Sequence, residues 1–164
     1  MSEQAVMPGE SIADWEAFGR LFVGSSHPLF SQLDMDLIHI SDVGVVVHAT
    51  IGECFKVSPE EPNAHAGALT IILDSIFGLA LFAHIQEMNP IATINLKTEY
   101  IGSPSVGLEL KCNASCFAID GKIARMRGEI REIKSGNVLA TSTGAFMIGT
   151  AGPSFLSRGE GIVQ

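Results

Sequence analysis

Apolar positions change their period several times along the chain. Near the start, Ile12, Trp15, Phe18 and Phe22 recur at helical spacing behind the cap candidate Ser11. That pattern predicts a short amphipathic helix over about residues 11–23. Leu33 to Ile40 and Val43 to Ile51 then read as two strands joined at Asp42-Val43-Gly44. Residues 52–64, with Pro59, Glu60, Glu61 and Pro62, read as a loop. From Ala66 to Ala83 the run AGALTIILDSIFGLALFA is apolar on every face, with Asp74 its one charged residue. A helix that is apolar all round is normally buried. Burying a carboxylate is costly unless it is paired, hydrogen-bonded or neutralised, so Asp74 requires an explanation.

Asn89-Pro90 ends that helix, and period-two alternation takes over. Ala92, Ile94, Leu96 and Tyr100 alternate with Thr93, Asn95, Lys97 and Glu99, which puts Thr93 on the polar face of the strand. Leu108 to Cys116 alternates likewise, Asp120-Gly121 is a hairpin signal, and Ala124, Met126 and Ile130 alternate with Arg125, Arg127, Glu129 and Arg131. A last strand covers Val138 to Ile148. Strands with one wet and one dry face suit an antiparallel sheet. The expected architecture is α+β: one domain over residues 1–150, with five to six antiparallel strands wrapped around a long central helix. Residues 151–164 read as a loosely ordered tail.

At 164 residues the chain is long enough for one substantial core. Charged residues make up only 17%, below the usual roughly 25%, which favours surface hidden in an oligomer. A net charge of −8 argues against a nucleic-acid partner. Cys54, Cys112 and Cys116 read as small buried hydrophobes in a reducing compartment, so the expected location is cytoplasmic. The first residues lack a basic, apolar signal pattern. The apolar run is about long enough to cross a bilayer, but its central Asp74 argues against a membrane span. His27, His39, His48 and His84 show no ligand spacing, so no metal is expected.

His65-Ala66-Gly67 opens the apolar helix, Asp74 lies within it, and a strand from Ala92 to Tyr100 leads to Ser103-Pro104. In order and spacing these residues resemble the hotdog-fold acyl-CoA thioesterases, in particular the phenylacetate-degradation type, whose helix opens with His-Gly-Gly. Two departures stand out. Ala66 replaces the first glycine, and Pro59 stands where the family carries an upstream Asn or Gln; Asn63 can take over that role if the loop follows a different path. The resemblance implies hydrolysis of an acyl-CoA to the free acid and coenzyme A, without a separate cofactor.

A helix N-terminus offers unpaired N–H groups and partial positive charge, so the amides of Ala66 and Gly67 are expected to form an oxyanion hole. Asp74 is then the base or the nucleophile, Thr93 orients water, and His65 positions the helix entry. Asp74 lies eight residues beyond Ala66, so ~12 Å along a helix axis. One thioester carbon cannot sit near both within one chain. The expectation is a homodimer with sites across its interface, extended on the family pattern to a dimer of dimers. Arg125, Arg127 and Arg131 read either as a solvated strand face or as a grip on coenzyme A phosphates. The alternative function is a hotdog protein that binds acyl-CoA without hydrolysing it; the motif of a hydratase is missing.

Overall fold

The computed structural model describes residues 14–24 and 28–151. Ser11, Ile12, His27 and the expected tail beyond residue 151 lie outside the described residues. Helix α1 (Trp15–Val23) is capped by Asp14, whose side chain accepts from the Ala17 N–H at 2.9 Å. A one-turn helix α2 (Pro28–Ser31) follows. Strands β1 (Asp36–Ser41) and β2 (Gly44–Thr50) form the expected hairpin.

Residues 52–64 are more ordered than their prolines suggest. A 3₁₀ turn at Glu53–Phe55 leads into a small hairpin of β3 (Lys56–Ser58) and β4 (Glu61–Ala64). Backbone bonds to the segment 104–106 tie it down: Ala64 N–H donates to Pro104 O at 3.0 Å and Val106 N–H to Pro62 O at 2.8 Å. The sequence marked the prolines as breakers. Pro62 has no N–H to offer, yet its carbonyl still accepts, which lets it sit in a short strand.

The long helix α3 spans Gly67–Ile85, followed by β5 (Ile91–Tyr100), β6 (Glu109–Asp120), β7 (Ile123–Glu132) and β8 (Val138–Ile148). Six strands form one antiparallel sheet in the order β1-β2-β6-β7-β8-β5, leaving β1 and β5 as edges. Helix α3 packs across the sheet, chiefly on β6, β7 and β2, while α1 lies against β1. Leu69, Ile72, Leu73, Ile76, Phe77 and Leu79 are fully buried there. By length and composition α3 could cross a bilayer, but most of it is buried beneath this sheet.

Glycines make the close approach possible. A Cβ on Gly128 of β7 would stand 2.7 Å from the Phe77 ring and 2.5 Å from Asn113 O. One on Gly144 of β8 would stand 3.3 Å from the other edge of the same ring. Phe77 therefore sits in a shallow seat formed by two neighbouring strands.

Gly128→Ala should lower stability by about 1–3 kcal/mol in urea unfolding, as overpacking against backbone does. The expectation of three buried cysteines is corrected: Cys54 is exposed and Cys116 half-buried, whereas Cys112 is buried and its pKa is pushed up to about 12 by that burial, so the thiols should separate by reactivity. A thiol reagent at neutral pH should label Cys54 in the native protein and reach Cys112 only after unfolding.

Candidate active site

Asp74 is not enclosed within one chain. Gly67, Thr70, Ile71, Asp74 and Ser75 are only half-buried and form a stripe along α3 that the sheet leaves uncovered. The expectation of a helix buried on every face is corrected at this stripe. Thr70, Asp74 and Ser75, the polar side chains inside the run, all fall on this stripe at i, i+4 and i+5, a signal that the apolar average of the run conceals.

The side chain of Thr93 reaches into this opening, and its Oγ1 donates to Asp74 Oδ1 at 2.9 Å. Simple alternation puts Thr93 on the face opposite Leu96 and Tyr100. The structure instead has a bulge between Thr93 and Asn95, where Ile94 is the extra residue. Across it, Thr93 on one side and Leu96 and Tyr100 on the other pair with Phe146, Gly144 and Ala140, all on the side that faces α3. Bulges commonly re-aim a side chain beside a functional site. Without this one, Thr93 would point away from Asp74.

At the other end of the stripe the helix begins. The His65 N–H donates to Phe55 O at 2.7 Å, so the small hairpin fixes the entry. His65 Nδ1 accepts from the Gly67 N–H at 3.0 Å, a side-chain cap placed one residue ahead of Ala66. One of the two amides expected to hold an oxyanion is therefore engaged by His65 in this state. Among the described residues no acceptor is bonded to the Ala66 N–H. Beside the cap, the hydroxyls of Thr70 and Tyr100 share a short hydrogen bond. That pair was not foreseen from the sequence, since two hydroxyls thirty residues apart carry no periodic signal.

The remaining expected residues are dispersed. Asn63 is exposed on β4 and donates to Glu61 Oε2 at 2.7 Å. Arg125, Arg127 and Arg131 alternate with the buried Ala124, Met126 and Ile130, so they line the outer face of β7, away from the stripe on α3. Arg131 is bound to Glu129 at 2.7 Å and 3.0 Å, and the guanidinium holds that carboxyl below its usual range. Arg127 donates to Ser115 and lies over the Phe117 ring. Within one chain the arginine stripe and Asp74 do not share a site. Among the described residues no group of three or more His, Cys, Asp or Glu could hold a metal ion.

Residues 61–138 match the thioesterase superfamily. The matched stretch holds Asn63, the whole His65-Ala66-Gly67 entry, Asp74 and Thr93. No curated protein is similar enough in sequence to count as a relative. Among solved structures, zebrafish thioesterase superfamily member 2 superposes with a TM-score of 0.68 at 13% identity, over 82% of this chain and 95% of its own. A hypothetical thioesterase from Streptococcus pneumoniae, solved with coenzyme A, gives 0.63 at 18% identity over 74% and 92%. A Streptococcus mutans protein bound to acetyl-CoA gives 0.61 at 16% identity over 70% and 87%. The pneumococcal protein has also been solved as variants in which an aspartate or a threonine is replaced by alanine. At these identities the likeness is one of fold, and the fold is the hotdog fold.

The cap geometry carries its own test. His65→Ala removes the acceptor for the Gly67 N–H and should cost about 1 kcal/mol of stability in urea unfolding, the usual scale for a lost helix cap.

Proposed function

We propose that this chain is an acyl-CoA thioesterase of the phenylacetate-degradation type, hydrolysing an acyl-CoA to a free acid and coenzyme A. The observation that carries the reading is the Thr93–Asp74 hydrogen bond on an uncovered helix flank, inside the segment that matches the thioesterase superfamily. The coenzyme A and acetyl-CoA bound by the two streptococcal neighbours support the ligand class.

In this reading Asp74 takes a proton from water, and the resulting hydroxide attacks the thioester carbonyl. The tetrahedral oxyanion is held by an N–H at a helix start, where unpaired donors and the helix dipole favour negative charge. Collapse breaks the C–S bond, and the coenzyme A thiolate takes the proton from Asp74. Asp74 can also serve as the attacking group itself, with water cleaving the anhydride that results. Thr93 fixes the carboxylate through Oδ1 and leaves Oδ2 for the reactant. No separate cofactor is needed.

The working unit is a homodimer, with a dimer of dimers as its extension. Eight residues separate Ala66 from Asp74, so ~12 Å of helix lies between donor and base. Ala66 of one copy and Asp74 of the other meet only across an interface. Edge strand β5 supports this, because it flanks the site and exposes Ile94 and Tyr100, with Ile101 just beyond its end, an apolar edge that would otherwise invite non-specific pairing. The location proposed is the cytoplasm, where free thiols persist.

A second reading is favoured by one observation. His65 already occupies the Gly67 N–H, which leaves one donor of the expected pair. A protein arrested in that state would bind acyl-CoA without cutting it.

Thiol release from a panel of short, long and aromatic acyl-CoAs separates the two. Turnover is expected on at least one member, and Asp74→Asn should reduce it by about a hundredfold or more, the range for loss of a general base. Thr93→Val, which keeps the carboxylate but removes its hydrogen bond, should cost about tenfold. Binding without turnover anywhere in the panel would favour the non-hydrolytic protein. Near-normal rates in Asp74→Asn would assign the chemistry to another group.

A further inference from the structure

Two cavities flank the start of α3, and one residue borders both. The first, of about 760 Å³, is bounded by Phe55, Val57, Gly67, Ala68, Ile71 and Tyr100. The second, of about 440 Å³, is bounded by Asn63, Ala66, Gly102, Ser103, Pro104 and again Tyr100. Gly67 faces the first and Ala66 the second, so the helix entry lies on the seam. Tyr100 is the residue common to both linings, and its hydroxyl is tethered to Thr70 on α3.

We propose that Tyr100 partitions the ligand site, with the cavity beside β3 taking the acyl group and the cavity beside the 101–104 turn taking the pantetheine arm. This rests on the acyl-CoA reading above. The chemistry of the two halves of the ligand matches the two linings. An acyl chain or ring has little to hydrogen-bond, and Phe55, Val57, Ala68 and Ile71 present apolar surface. Pantetheine carries two amides, which lose their water on binding and need polar partners. Asn63, whose amide nitrogen donates to Glu61 and whose Oδ1 can still accept, and Ser103 border that side. The thioester joins the two halves, and in this orientation it falls at the seam, beside the free Ala66 N–H. Lys56 also borders the first cavity, but Glu53 engages its ammonium at 3.6 Å. A reversed ligand, with its nucleotide toward Lys56, is the competing orientation.

The test uses the full chain and S-alkyl-CoA thioethers, which cannot be hydrolysed. Dissociation constants for free CoA and for its S-ethyl, S-hexyl and S-decyl forms are measured calorimetrically. Two substitutions at exposed positions fill one cavity each: Val57→Trp and Ser103→Trp. In the wild type, affinity is expected to rise with alkyl length. Val57→Trp should weaken S-decyl-CoA by about tenfold while leaving free CoA within about twofold. Ser103→Trp should weaken all four compounds alike, by about fivefold or more. Tyr100→Ala opens the wall, so the S-decyl loss caused by Val57→Trp should shrink in the double variant, whereas additive losses would overturn the partition. Weakened free CoA in Val57→Trp, or loss of length dependence in Ser103→Trp, would establish the reversed orientation and overturn the assignment. A wild type that binds none of the four compounds would also overturn it. The expected binding pattern, without thiol release from any acyl-CoA, would uphold the two subsites and sink the hydrolase reading alone.

Discussion

The contact on which the rest of the structure depends is Phe77 seated against Gly128 and Gly144. Removing the side chain at both strand positions lets a large ring on α3 rest almost on the backbone of β7 and β8. The helix is thereby brought onto the sheet along its central turns, and Leu69, Leu73 and Ile76 close over β6 and its neighbours. Close packing on one side fixes what remains on the other. Edge strand β5 flanks α3 without sealing it, and the stripe from Gly67 through Thr70 and Ile71 to Asp74 stays open. A bulkier seat would lift the helix and change the reach from Thr93 to Asp74, so the core and the candidate site share one geometric constraint.

Much of this architecture is legible in the sequence. Alternation in β6, β7 and β8 puts Leu110, Ala124, Met126 and Ile130 inside, where the structure has them. The length of the apolar run locates α3, and Asp120-Gly121 marks its hairpin, with Gly121 at φ +58°. What escaped the pattern is local and specific. A bulge is one residue of register, and the residues around Ile94 alternate no differently from an unbroken strand. The β3–β4 hairpin is held by bonds to residues 104–106, which no local reading of 52–64 contains. The arginine stripe is legible as the wet face opposite Ala124, Met126 and Ile130, but only the packing of α3 on the other face sets it away from Asp74.

His65 illustrates why a residue can be foreseen while its bonding is not. Its place before an apolar helix marks it as an entry residue, and the structure has it there. Its imidazole acceptor then satisfies the Gly67 N–H. A buried or half-buried helix start needs such partners, since its first amides have none within the helix. The same amides are the ones an oxyanion would want. Helix capping and anion binding therefore compete for Gly67, and alanine at position 66 leaves its own N–H outside that competition.

The division of labour along α3 follows from the same competition. Near its start the helix offers positive potential and a free amide at Ala66; two turns later it offers a carboxylate fixed by Thr93. The dipole that welcomes an anion at the first turn has faded by Asp74, whose carboxylate is held by the Thr93 hydroxyl instead. A carboxylate at the first turn would instead hold the N–H groups for itself and repel an oxyanion. Separating base from donor along one helix thus preserves both, at the expense of their acting together in one chain. On the proposed chemistry, pairing across two copies is how that separation is closed, and the open flank beside β5 is where the second copy has room to enter.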